Sequence, residues 1–103
     1  MNEIVSIKDW EFLNQTPKFL LLITKDSCKE CRDVEKNLEQ INNMIRQYEV
    51  VKIKLDNENS IDLINSLDWI KKEVDFVPFW YLFIDSERIT STRGDIEKVT
   101  EII

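Results

Sequence analysis

The stretch Asp26-Ser27-Cys28-Lys29-Glu30-Cys31 sets two cysteines three positions apart, just beyond the apolar run Phe19-Leu20-Leu21-Leu22-Ile23. A continuous apolar run of this kind suits a strand buried on both faces of a parallel sheet. Downstream, Val34, Leu38, Ile41 and Ile45 recur at helical spacing, which predicts a helix with one buried face, and Cys31 falls on that stripe. Ser27 and Glu30 have the form of a capping box, in which each side chain satisfies a free backbone N–H at the helix entry. The stretch therefore predicts a strand over Lys18 to Thr24, then a helix running to about Arg46 with Cys28 in its first turn.

That position has a chemical consequence. Unpaired N–H groups and the positive end of the helix dipole stabilise an anion at a helix start. The thiolate is the form of cysteine that attacks a disulfide, and Cys-x-x-Cys pairs at helix starts are where reactive thiols are found. Cys28 is the candidate nucleophile, and Cys31, one turn deeper and facing the core, is the candidate resolving thiol. Other readings of the pair stay open from the residues alone. A structural disulfide here would close a loop of only a few residues and constrain the unfolded chain little. A structural zinc site asks for about four Cys or His ligands, and with two Cys and no His the chain would need carboxylates or a second subunit to complete one. Two unrelated thiols on one helix are the remaining possibility. Strand, cap and helix falling in register around the pair favour redox chemistry.

With 103 residues the chain fits one domain, residues 1–103, large enough for a single core. A formal net charge of −6 argues against nucleic acid or an anionic membrane as partner. No apolar run approaches the roughly 18 residues of a membrane span. Glu3, Lys8 and Asp9 near the start are unlike a secretory signal, so a reducing, cytoplasmic compartment is the expectation. There, a lone cysteine pair is more often catalytic, redox-sensing or metal-binding than structural.

The remaining elements follow from local pattern. Ile4 to Ile7 is predicted as a short strand and Lys8 to Gln15 as a short helix, with Thr16-Pro17 ending it. From Tyr48 to Asp56, Val51, Ile53 and Leu55 alternate with Lys52, Lys54 and Asp56, the signature of a half-buried strand. Asn57 to Ser60 reads as a turn with capping residues, leading into a helix with Ile61, Ile64, Leu67 and Ile70 toward the core and its end near Lys71-Lys72; Trp69 on it reads as packing. Val77-Pro78 opens the most apolar strand, Phe79 to Ile84, where a proline need not donate to the ladder. Asp85-Ser86-Glu87 is a tight turn into a strand over Arg88 to Thr92, and after Gly94 a closing helix puts Ile96, Val99 and Ile103 on one face. Alternating strands and helices with a terminal hairpin and helix place the chain in the α/β class.

With these elements in order, the chain resembles the thioredoxin family over essentially all its residues. The resemblance rests on Cys28-Lys29-Glu30-Cys31 at a strand-to-helix junction, on Val77-Pro78 opening the fourth strand, and on Gly94. It implies a thioredoxin fold: a central mixed sheet of four to five strands with helices on both faces. It further implies that Pro78 is cis and lies against the cysteine pair, that the Val77 backbone pairs with a substrate peptide, and that Gly94 sits in the loop facing the disulfide. Lys52 stands where thioredoxins carry a lysine near the buried thiol. Taken without the family, Pro78 has the alternative reading of an ordinary trans proline at a strand entry, cis being rare for X-Pro bonds, and Lys52 that of a solvated charge.

The departures are specific. Thioredoxins have Trp before the first cysteine and Gly-Pro between the two, where this chain has Ser27 and Lys29-Glu30. Leu22 stands where they bury an aspartate that helps deprotonate the resolving thiol, so Glu30 or water would take that proton. Ser86 replaces a turn glycine, and the closing helix is short.

The function the resemblance implies is thiol-disulfide oxidoreduction, reducing protein disulfides through the Cys28/Cys31 dithiol. It needs no metal or organic cofactor. Its partners would be disulfide-containing proteins and a recycling reductase or glutathione. Lys29 favours the Cys28 thiolate and Asp26, Glu30 and Asp33 oppose it, so a reducing rather than an oxidising protein is expected. Two alternatives are a redox-weak thioredoxin-fold binding module and a glutaredoxin-like, glutathione-dependent reductase. The latter would want basic residues by the cysteines, for which Lys25, Lys29, Arg32 and Arg93 are the candidates.

Overall fold

Residues 2–38 and 45–103 are described by the computed structural model, and within them five strands hydrogen-bond into one mixed sheet. In chain order these are β1 (Asn2–Glu3), β2 (Lys18–Thr24), β3 (Glu49–Lys54), β4 (Phe79–Ile84) and β5 (Glu87–Arg93), arranged spatially as β1-β3-β2-β4-β5. The apolar run that opened the sequence reading forms the central strand. β2 pairs in parallel with β3 and antiparallel with β4, so Leu22 lies between Lys52 and Trp80. Phe19 through Ile23 have no exposed surface at all.

Because side chains alternate along a strand, this one run feeds two cores. Phe19, Leu21 and Ile23 join Tyr81 and Phe83 of β4 under α1 (Ile7–Leu13), α3 (Ile61–Ser66) and α4 (Asp68–Glu73). Leu20 and Leu22 join Trp80 and Leu82 under α2 (Lys29–Leu38) and α5 (Ile96–Thr100). Helices thus cover both faces of the sheet. The first core is dominated by rings: Phe19 stacks on Phe83 with centroids 4.7 Å apart, and Trp10 meets both edge-on. Trp69 packs into the same group against Tyr81, with the Arg88 guanidinium 4.6 Å above its ring.

Several boundaries differ from the sequence reading. The first strand is Asn2–Glu3 rather than Ile4 to Ile7, because Ser6 takes up the N-cap of α1 and its hydroxyl accepts the Asp9 N–H at 3.0 Å. Ile4 still donates one ladder bond, to the Lys52 carbonyl. The helix predicted after Asn57 to Ser60 is two helices, with Leu67 leaving helical geometry between them. Its inner stripe is Leu63, Ile64, Leu67 and Ile70, which at 3.6 residues per turn leaves Ile61 on the far side, half exposed. The Cys helix is helical from Lys29 to Leu38; the predicted continuation through Ile41 falls on residues 39–44, outside the described residues, and Ile45–Gln47 is a 3-10 turn with Ile45 buried.

The hairpin between β4 and β5 turns on Asp85 and Ser86 alone, with φ of 50° and 68°. Positive φ at both positions matches the twist of the strands. Two bonds to the segment before β2 hold these non-glycine residues there, from Asp85 N–H to the Pro17 carbonyl and from Ser86 Oγ to the Asn14 carbonyl.

Phe19 is the ring at the centre of the larger core, so Phe19→Ala is expected to lower unfolding free energy by about 3–5 kcal/mol, as urea denaturation followed by tryptophan fluorescence would read.

Candidate active site

Both cysteines lie at the end of α2 that meets the sheet, and both are free thiols. Helical hydrogen bonding begins at Cys28, whose carbonyl accepts the Arg32 N–H at 3.2 Å. Cys28 Sγ in turn accepts the Cys31 N–H at 3.2 Å. The sulfur therefore occupies the place an oxygen takes in an ordinary N-cap, receiving an N–H that the helix cannot satisfy internally. This corrects the predicted capping box. Ser27 does not cap α2; its backbone and hydroxyl are turned to Asp56, and Cys28 stands at the cap itself rather than in the first turn.

The loop before the helix is held from three sides. Asp56, just past β3, accepts the Asp26 and Ser27 N–H groups on its two carboxylate oxygens at 3.0 and 3.1 Å. These backbone donors hold its carboxyl below the ordinary range, the Asp26 N–H contributing most. Lys54 of β3 pairs with the Asp26 carboxylate at 2.7 Å, and Arg32 of α2 donates to the Asp26 carbonyl at 2.7 Å. Nothing local in the sequence marks Asp56 for this role; an acid just beyond a strand and ahead of a turn reads as solvated.

Cys28 is half-buried and Cys31 fully buried, on the stripe with Val34 and Leu38. Burial, and next the contact with Cys28, push the Cys31 thiol up to about 11. The Thr24 hydroxyl opposes this rise; it is buried and lacks a partner of ordinary hydrogen-bond geometry. Leu22 is buried among apolar neighbours on the same face. Glu30, one of the two groups expected to take the Cys31 proton, is exposed and lines an open groove. Lys52 forms an ion pair with Glu35, one turn beyond Cys31 on α2. Lys29 is exposed.

Two further elements close on the cysteines. The Val77–Pro78 peptide bond is cis, and the Val77 carbonyl oxygen stands 3.8 Å from Cys28 Sγ. Gly94 donates its N–H to the Pro78 carbonyl at 2.9 Å and accepts the Trp80 indole N–H at 3.0 Å. Its φ of 110° favours glycine, and a Cβ there would come 3.3 Å from Lys98 Cγ. Val77, Pro78 and Gly94 are thus drawn to one rim of the α2 mouth. Among the described residues no three Cys, His, Asp or Glu side chains converge to hold a metal ion, and no helix is long and apolar enough to cross a membrane.

Similarity to known proteins lies in the backbone. No protein-family model matches the chain, and no curated protein matches it. Thioredoxin f2 of Chlamydomonas reinhardtii superposes with a TM-score of 0.79 over 100% of this chain and 93% of its own, at 16% identity. Fasciola hepatica thioredoxin gives 0.75 over 100% and 96%, at 21% identity. A protein described as a putative oxidoreductase with a thioredoxin fold gives 0.74 over 97% and 90%, at 10% identity. The chain has the thioredoxin fold.

Because Asp56 is lowered in the folded protein, what it contributes is present above the ordinary carboxylate value of 3.8 and is lost as pH falls through its depressed value. Proton NMR should show the Asp26 and Ser27 amide resonances titrating together with a midpoint below 3.8, and Asp56→Ala should abolish that titration while speeding hydrogen exchange at both amides.

Proposed function

We propose that the protein reduces disulfide bonds in other proteins through Cys28 and Cys31. The single observation that carries this reading is the half-buried Cys28 sulfur at the N-cap of α2, 3.2 Å from the Cys31 N–H and one turn from a fully buried second thiol. One N–H and the N-terminus of α2 meet this sulfur, and it stands beside the Val77 carbonyl on the rim that a substrate disulfide would reach.

In the reaction, the Cys28 thiolate attacks one sulfur of the substrate disulfide. A mixed disulfide forms and the other substrate sulfur leaves as a thiolate, which takes a proton. Cys31 then loses its proton and attacks Cys28 Sγ, and the second substrate thiol departs. The dithiol gives up two electrons and becomes the Cys28–Cys31 disulfide; the substrate gains two electrons and two protons. Burial protects Cys31 from side reactions and holds it protonated until the mixed disulfide forms. Val77, Pro78 and Gly94 form the rim on which the substrate backbone rests, and Val77 offers its carbonyl beside the attacking sulfur. Lys29 and Glu30, both exposed between the cysteines, and Lys52 tune the site rather than react. A recycling reductase or a small thiol restores the dithiol, and the cytoplasm is the compartment that keeps it reduced.

The mixture of charges supports a protein substrate over glutathione. Of the four cations near the cysteines, Arg32 is committed to the Asp26 carbonyl and Arg93 to Asp75 at 3.2 Å. A second reading, a binding module with little turnover, is favoured by two observations: Leu22 supplies no acid to deprotonate Cys31, and burial pushes the Cys31 thiol up to about 11.

Insulin reduction driven by dithiothreitol separates the two. The parent protein is expected to hasten precipitation at least several-fold over dithiothreitol alone, Cys28→Ser to match the background, and Cys31→Ser to accumulate a mixed disulfide visible by mass spectrometry. A parent rate equal to background would leave the binding module.

A further inference from the structure

Beside the dithiol lies a groove of about 550 Å³ between α2, the Phe76-Val77-Pro78 segment and the start of α5. Its walls carry two chemistries. Phe76 is 47% exposed although large and apolar, and it stands two residues before β4's entry proline. Glu30 and Asp33, three residues apart on α2, and Asp95, just before α5, line the same groove. Two cations also line the groove, and each already has a carboxylate neighbour: Arg93 faces Asp75 at 3.2 Å and Lys98 faces Glu101 at 3.9 Å. Among the described residues Glu30, Asp33 and Asp95 have no ion-pair partner. Three carboxylates without an ion-pair partner among the described residues, against two cations that each have a carboxylate neighbour, on a chain of net charge −6, tilt the field over the groove negative.

We infer that the groove selects substrates whose disulfide is flanked by a basic residue and an apolar one, the apolar side chain resting on Phe76 and the Lys or Arg meeting Glu30, Asp33 and Asp95. This rests on the disulfide-reductase reading and specifies its substrate class. An exposed aromatic beside a cavity is where a partner's apolar side chain gains most by leaving water. Open, screened carboxylates add selectivity and speed of encounter more than tightness. Phe76 also stands in for the aromatic surface that Ser27, in place of a tryptophan, leaves out. Acidic segments, and glutathione with its two carboxylates, are disfavoured by the same field.

The test uses pre-reduced protein and two disulfide-bonded peptides, identical except that the positions flanking the cysteine are Leu and Lys in one and Leu and Glu in the other. Single-turnover reduction is followed by acid quench and chromatography. The Lys peptide is expected to be reduced about tenfold faster at low salt, with the gap closing as ionic strength rises past the point where the Debye length is about 3 Å. Asp33→Lys combined with Asp95→Asn, which keeps a side chain of the same size ahead of α5, should remove most of the preference. Phe76→Ala should slow both peptides and leave their ratio in place. Equal rates for the two peptides in the parent protein overturn the selectivity while leaving the reductase reading standing; no reduction of either peptide overturns both.

Discussion

The approach of the Cys31 N–H to Cys28 Sγ at 3.2 Å requires the first turn of α2 to be fixed against the sheet, and three elements fix it. Asp56 binds two successive backbone N–H groups of the preceding loop, Lys54 binds the Asp26 carboxylate, and Arg32 reaches back to the Asp26 carbonyl. Two of these three groups sit at the end of β3 and one on α2 itself, so strand and helix are tied through the loop that carries the thiol. A cap made by sulfur is weaker than one made by a carboxylate or hydroxyl. The surrounding charged contacts keep the geometry that the cap alone would hold loosely.

The opposite rim comes from far along the chain. β2 and β4 pair antiparallel through six residue pairs, Lys18↔Ile84 to Ile23↔Phe79, which brings the start of β4 level with the end of β2. Pro78 thereby arrives beside the loop that β2 feeds. Trp80, fully buried under α2 and α5, sends its indole N–H to the Gly94 carbonyl, and Gly94 returns a bond to Pro78. The second core is thus joined directly to the rim, and packing in that layer sets where the rim sits.

What could be read from the residues alone was whatever periodicity or strong apolar runs encode. Both bounds of β2 and of β4 follow from runs of Leu, Ile and aromatic residues closed by polar ones. The two-cysteine stretch marks itself through spacing. Long-range partners leave no such mark. Asp56 acts on residues 29 and 30 positions away, and nothing near it in sequence distinguishes it from a solvated acid. Phe76 carries no local signal for the exposed position beside a groove that the fold gives it. Ser27 and Glu30 match a capping motif in spacing, yet Asp56 competes for the same serine and wins with a full charge. On the helical stretch after Ser60 the predicted stripe holds at Ile64, Leu67 and Ile70 and fails at Ile61: Ile61 and Leu63 are both apolar, and only packing decides which one turns in.

Two thiols held one turn apart are given opposite environments, one open to the rim and receiving an N–H, the other fully buried and pushed up to about 11. In the proposed reaction, that asymmetry assigns one sulfur as the attacker and the other as the reserve. Differential alkylation of the folded, fully reduced protein with iodoacetamide near neutral pH, read by peptide mass spectrometry, measures it most directly. A single adduct on Cys28, with Cys31 modified only after unfolding, is the result this account predicts; adducts accumulating on both cysteines at equal rates in the folded protein would contradict it.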